Sequence, residues 1–255
     1  FPMTVHLYAH RLSQPSRAAE ILLRELDMPY AWHTVDFANG ETRTDTFAAQ
    51  INPLQTIPAL VVRDTTANAA PFALGESHAI LRYLCRTARN RDLAAQWYPS
   101  DDAERCAPVD LWMAWHHNHV RAYDMFHDIM NLHFTLPMLK YELQSTALKP
   151  LQDGLRAGLA TLEHHLGHQE NPSSRAAPTL CGGEQPTLAD LVIACELYQI
   201  AAVGYRFDGF PQLARWLEAM ANRRHFRDVS QEIDAQGQTI REQSGAYLDL
   251  AGAFS

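Results

Sequence analysis

The feature that most limits what this sequence can fold into is a change in the period of its apolar residues about a third of the way along. Up to about residue 87, short apolar runs of strand length alternate with stretches of helical period; beyond it, nearly every apolar residue recurs at helical spacing. A strand buries every second residue and a helix every third or fourth, so the two stretches must bury their apolar surface differently and read as two domains. With 255 residues, 47% of them hydrophobic, the chain can fill two modest cores.

Residues 4–9 read as a buried strand, followed by a helix from about Pro15 with the stripe Ala18, Ala19, Leu22, Leu23 and Leu26. Residues 31–36 alternate as a second strand, 44–51 form a short helix, 59–62 and 72–74 are short strands, and a helix from 77 to about 86 closes the unit. This order predicts an α/β domain of thioredoxin-like kind at 3–87, then a linker at 88–101 and an all-α domain at 102–246. In the latter, 102–132 reads as one long helix carrying Val109, Met113, His116, Val120, Tyr123, His127 and Met130 on one stripe. Trp112, Trp115, His119, Phe126 and Ile129 form a neighbouring stripe, an arc broad enough for contact with more than one neighbour. Further helices are expected at about 138–168, 187–203, 211–222 and 223–235, with a loop at 171–178.

A net charge of -8 without a block of like charges disfavours a nucleic-acid partner. Cys85, Cys106, Cys181 and Cys195 are scattered without a CxxC pair, which suggests reduced thiols and a cytoplasmic location rather than a disulfide framework or zinc ribbon. No run of apolar residues is long enough to span a bilayer, and no signal segment is evident, so no membrane partner is expected.

The segment Leu12-Ser13-Gln14-Pro15-Ser16-Arg17 lies where the first strand gives way to the first helix, whose leading N–H groups make a site for an anion or thiolate. A hydroxyl there, from Ser13 or Ser16, lowers the pKa of a bound thiol from about 8.5 by hydrogen-bonding its ionised form. Taken alone, Ser13 reads first as a helix cap, and Tyr8 is a rival donor that reads first as a packed strand aromatic. With no cysteine before Cys85, this corner lacks the thiolate of a redox thioredoxin, so a reacting sulfur must come from a ligand. Ile57-Pro58, ahead of an apolar run, fits a cis bond or a trans proline that opens a strand. Ser77, after Glu76, reads as the N-cap of a helix whose free amides suit a carboxylate. Thr187 and Asp190 have capping-box spacing. His116 and His119 share a helix face without evident third and fourth ligands, and no metal is expected.

Five patches, taken in order, resemble the glutathione transferases, most closely the theta class. They are Ser13-Gln14-Pro15-Ser16-Arg17-Ala18; Asn52-Pro53-Leu54 ahead of Ile57-Pro58-Ala59-Leu60; Glu76-Ser77 before Ala79-Ile80; Trp97-Tyr98-Pro99; and Thr187-Leu188-Ala189-Asp190-Leu191. The resemblance implies the two-domain transferase fold, a homodimer, and glutathione as co-substrate without a metal or redox cofactor. It implies that Ser13 donates to the glutathione sulfur with Gln14 beside it. A cis Pro58 would hold Ile57 for backbone pairing with the cysteinyl part, and Glu76 and Ser77 would take the γ-glutamyl end. The implied reaction is thiolate attack on an electrophile: conjugation, dehalogenation or peroxide reduction. Arg121 matches an arginine of the electrophile pocket, and Asn118 a position that reaches the neighbouring subunit's glutathione. At the glycine end, theta enzymes often carry a lysine two residues before the cis proline and an earlier histidine-lysine pair. This chain has Thr56 and Thr42-Arg43 there. Two other readings stay open: a non-catalytic binding or regulatory protein of the same shape, and a transferase for a glutathione whose glycine carboxylate is masked.

Overall fold

In the computed structural model, residues 3–66, 69–124, 149–169 and 175–243 are described. The chain divides into two compact units, Phe1–Cys106 and Ala107–Ser255.

In the first unit, β1 (Met3–Ala9) runs parallel to β2 (Ala31–Thr34) and antiparallel to β3 (Ala59–Asp64), which pairs antiparallel with β4 (Phe72–Leu74). The strand order is β2-β1-β3-β4, a small mixed sheet of thioredoxin-like type. Period-two alternation sorts β1 into two faces: Leu7 and Ala9 are fully buried, whereas Tyr8 and His6 share the opposite face with His33. Helices α1 (Gln14–Glu25) and α3 (Ser77–Thr87) pack on each other and bury Ala18, Ala19, Leu22, Ile80, Leu81 and Leu84. The short α2 (Asp45–Gln50) is capped by Thr44, whose hydroxyl accepts from the Phe47 N–H at 3.1 Å, and it buries Phe47.

Two sequence expectations change here. The stretch 88–101, read as a linker, contains helix α4 (Arg91–Trp97), with the Asn90 side chain accepting from the Leu93 N–H at 3.1 Å and Trp97 and Tyr98 buried. A helix of under two turns leaves too little periodicity to be read. Ser77 is the first helical residue rather than the N-cap; Glu76 takes the cap position at φ 62 and ψ 112 without a side-chain cap bond.

Among the described residues, the helical unit contains α5 (Ala103–His119), whose first turn contains the division between units, and α6 (Lys149–Gln169), α7 (Leu188–Ala202), α8 (Pro211–Ala221) and α9 (Arg224–Gln243). Helix α5 is shorter than expected because the backbone leaves helical geometry at Val120 and a 3-10 turn, Arg121–Tyr123, follows. Its stripe of Val109, Met113, His116 and Val120 is buried as expected. Phe126, His127, Ile129 and Met130, the helical segment expected at 138–148 and the first half of the 171–178 loop lie outside the described residues. Helix α9 continues past the expected end near 235. Helix α7 is buried nearly all round, the state of a central helix with neighbours on every side.

Two buried polar centres organise this unit. The capping box of α7 is formed, and the Asp190 carboxylate accepts from the N–H groups of Thr187 (2.8 Å) and Leu180 (2.9 Å) and the indole N–H of Trp216 (2.8 Å). At the end of α5, His116 Nε2 lies 2.9 Å from the buried Glu196 carboxylate, and an Arg121 guanidinium nitrogen lies 3.4 Å from the same oxygen. Burial pushes the His116 imidazole down to about 3, helped by His117 and Arg121 and opposed by Asp124, so it stays neutral and donates its Nε2 proton to Glu196.

Asp190→Ala removes the cap and strands the Leu180 and Trp216 donors. It should cost about 3 kcal/mol of stability, read as a lower melting temperature, and unchanged melting would contradict the assigned contacts. For His116, the folded imidazole binds a proton only near pH 3 against 6.5 for the model value, so between these pH values the unfolded state holds more protons. Stability should therefore fall as the medium is acidified through this window, by about 1.4 kcal/mol per pH unit from this group. Urea unfolding at pH 7 and pH 5 should show a steeper acid loss for wild type than for His116→Gln, which keeps a neutral donor.

Candidate active site

Strand β1 ends at Ala9 and α1 begins at Gln14, so 10–13 form the corner singled out from sequence. Ser13 is the helix N-cap at φ -82 and ψ 122, its hydroxyl oxygen accepting from the Ser16 N–H at 3.4 Å. A hydroxyl that accepts this bond keeps its own proton to donate, so capping α1 and serving a thiol are compatible roles. The first turn of α1 carries no acidic residue, which leaves the positive helix end available to an anion. Gln14, beside Ser13, is buried. The Tyr8 ring stacks on His33 with centroids 4.3 Å apart and planes 8° apart, as a packed strand aromatic does.

The corner is held by bonds that the sequence reading did not assign. The Ser13 N–H donates to His10 O at 2.9 Å, the His10 N–H to Ser16 Oγ at 3.3 Å, and the Leu12 N–H to His10 Nδ1 at 3.1 Å. Arg17, only 1% exposed, donates one guanidinium nitrogen to Arg11 O at 3.0 Å and Leu12 O at 3.1 Å. The Arg11 side chain in turn grips Glu20 with two bonds of 2.9 Å, and Glu20 also accepts from Arg24 at 2.9 Å and the Tyr30 hydroxyl at 2.7 Å. Burial raises the Glu20 carboxyl pKa, but the bonds from Arg11 and Tyr30 and the two arginine charges outweigh it and hold the carboxyl below its ordinary range. The signal for this network was present as charges at 17, 20 and 24, which share one helix face within an otherwise apolar stretch.

Ile57-Pro58 is cis. The loop before it is organised by Asn52, buried to 1%, whose amide donates to Thr56 O at 3.0 Å and Thr56 Oγ1 at 3.2 Å while its oxygen accepts the Leu54 N–H at 3.0 Å. A Cβ at Gly75 would lie 2.9 Å from the Asn52 amide, so Gly75 lets this side chain reach the β4–α3 turn. Next in that turn stands Glu76, whose positive φ costs about 1–3 kcal/mol in a non-glycine residue and fixes where its carboxylate and the first α3 amides sit. Asn52, like Arg17, falls in one of the family-like patches, where its residue type alone assigns it no role.

The sheet register gathers these segments. Tyr8 pairs with Ala59 and Leu60 with Leu74, so the end of β1, the start of β3 and the end of β4 lie at one end of the sheet. Strand β2, parallel to β1, finishes at the same end and leads to the 3-10 turn Glu41–Arg43. Ser13, Thr42, Arg43, Thr56, Ile57, Pro58, Glu76 and Ser77 therefore all lie on segments leaving that end. Ser13 and Ser77 are partly exposed and Arg43, Thr56 and Glu76 exposed. Asn118 and Arg121 belong to the helical unit: Asn118 is exposed in the last turn of α5 and Arg121 opens the 3-10 turn beside Glu196. Burial pushes the Cys85 thiol up to about 12 and that of Cys181 to about 11, so neither is a thiolate near neutrality.

A family model described as the glutathione S-transferase N-terminal domain matches residues 13–87, and one for the C-terminal domain matches 120–219. The chain is 36% identical to bovine (Bos taurus) glutathione S-transferase theta-1 over 84% of its length and 81% of that protein. It is 34% identical to the human (Homo sapiens) theta-1 enzyme over 91% and 89%. Among solved structures, a human theta-class transferase in complex with the glutathione conjugate of 1-menaphthyl sulfate aligns with a TM-score of 0.73 at 27% identity, over 95% of this chain and 90% of that one. Human theta-2, in complex with glutathione, aligns at 0.70 and 28% identity over 94% and 90%. With each unit matched by its own family model and about a third of the aligned residues identical to theta-1 enzymes along most of its length, the chain belongs to the theta class of the glutathione S-transferase family.

Proposed function

We propose that this chain binds glutathione at the sheet end described above and that Ser13 donates a hydrogen bond to its sulfur, favouring the thiolate for attack on an electrophile. The observation that carries the reading is Ser13 itself, a partly exposed residue whose hydroxyl makes the cap bond at the positive end of α1. The thiolate forms a bond to the electrophilic carbon or heteroatom while that atom's leaving group departs with the electron pair, and the thiol proton passes to solvent. This chemistry needs no metal or redox cofactor.

In this reading Gln14 lines the corner, Ile57 pairs its backbone with the cysteinyl part, and Glu76 and the α3 amides at Ser77 take the γ-glutamyl ammonium and carboxylate. Arg43, with Thr42 and Thr56 nearby in the same set of loops, takes the glycine carboxylate. Arg121 serves the electrophile pocket, Asn118 reaches the glutathione of a second copy, the working form is a homodimer, and the cytoplasm is its place.

Ser13→Ala should lower kcat about 10²–10³-fold towards aryl halides and haloalkanes, with a much smaller change in KM for glutathione. Wild type and variant equally idle across that panel would favour the binding-protein reading. Arg43→Ala should raise KM for glutathione about tenfold and leave that for glutathione glycine-amide unchanged, the loss of one charge-assisted contact. Calorimetry in which wild type ignores millimolar glutathione yet binds the amide would favour the masked thiol instead.

A further inference from the structure

We propose that Arg17 and Glu20 are positioning residues for thiol activation: from inside α1 they lock the 10–13 corner and thereby set where the Ser13 hydroxyl stands. The inference rests on the reading of Ser13 as the donor to the glutathione sulfur.

A tight turn leaves its carbonyls without ladder partners, and a buried carbonyl without a donor is costly. Arg17 supplies donors to two of them, Arg11 O and Leu12 O, from the first turn of the helix that Ser13 caps. Only a guanidinium reaches two carbonyls with fixed planar geometry; an ammonium at the same place is a flexible point donor. The second fastening runs through a side chain. Arg11 is two residues before Ser13, and both its bonds to Glu20 are 2.9 Å, the geometry of a two-pronged clamp whose acceptor side chain is fully buried. The Arg11 guanidinium also lies 4.5 Å from the centre of the Trp32 ring on β2, and Glu20 is braced by Arg24 and Tyr30. The corner is thus tied to α1 at its carbonyls and at its side chain, independently of the ladder that ends at Ala9.

Such fastening matters for rate more than for binding. The contacts assigned to the rest of glutathione come from 42–43, 56–58 and 76–77, segments separate in the chain from the 10–13 corner that Arg17 and Arg11 fasten. A displaced hydroxyl would leave the tripeptide in place and lose stabilisation of its ionised sulfur. A network serving stability alone would change melting and leave the acidity of the bound thiol untouched.

The test measures the pKa of glutathione bound to the full-length protein from the ultraviolet absorbance of its thiolate across a pH series, together with kcat and KM. The variants are Arg17→Lys, Glu20→Gln, Ser13→Ala and the Ser13→Ala, Arg17→Lys double variant. Arg17→Lys should raise the thiol pKa by roughly one unit and lower kcat about tenfold to a hundredfold, with KM for glutathione nearly unchanged. Glu20→Gln, nearly isosteric, should move both in the same direction by less, and it carries the test alone if Arg17→Lys does not fold. The double variant should show no higher pKa than Ser13→Ala, because Arg17 acts through that hydroxyl. A raised pKa in Ser13→Ala with none in Arg17→Lys or Glu20→Gln overturns this inference and leaves the Ser13 reading standing. An unmoved pKa in Ser13→Ala overturns both, and additive shifts in the double variant overturn the positioning route.

Discussion

The register between β1 and β3 is the constraint on which the rest of the first unit depends. With Tyr8 opposite Ala59, Leu7 and Ala9 enter the core and the chain leaves β1 at the sheet end where β3 begins. A slip of one residue would turn Leu7 out and bring Tyr8 and His6 in, exchanging an apolar face for a polar one. Strand β3 buries Ala59 to Val62 on both faces, so the alternation that fixes the pairing is that of β1. Four loops far apart in sequence therefore meet at one sheet end because the core admits only one pairing.

Around that end, Asn52, Arg17 and Glu20 are buried by the fold and hold the chain in place, and Gln14 is buried with them although it is assigned to the ligand corner. The first three each bond to a loop beside the site; Arg43, Thr56 and Glu76, assigned to the ligand, remain exposed. The division follows from desolvation: a buried polar group must have all its partners in the protein, so it has none left for a ligand, while an exposed one keeps capacity to exchange water for ligand. The helical unit follows the same rule, with Asp190 and Glu196 buried among donors from several elements.

Much of this was legible in the sequence because it repeats. Strand alternation and helical stripes gave four strands and most helices within a few residues, and Thr187 with Asp190 announced the start of α7 by spacing alone. Features that occur once were not legible. Helix α4 is too short to show a period, and α5 stops at His119 although the apolar stripe continues past it, because Val120 turns the backbone at a point that no proline or glycine marks. Residue patterns placed Ser13 at its corner and taken alone favoured a helix cap, while the family resemblance implied a thiol partner; the cap bond shows that the first role leaves the second open.

The same distinction explains why the supporting network was missed. An arginine and a glutamate at helical spacing look the same on paper whether they form a solvated pair worth little or a buried clamp, since the difference lies in what covers them. Here Glu20 falls on the face of α1 turned from solvent, so its charge must be met by Arg11, Arg24 and Tyr30, and Arg11 can meet it only by drawing the corner onto the helix. Burial of one carboxylate thus dictates the path of the chain immediately before Ser13. A glutamine at that position would be neutral and make a weaker claim on Arg11, which is why the acid, and not merely a polar residue, ties the placing of the hydroxyl to the folding of α1.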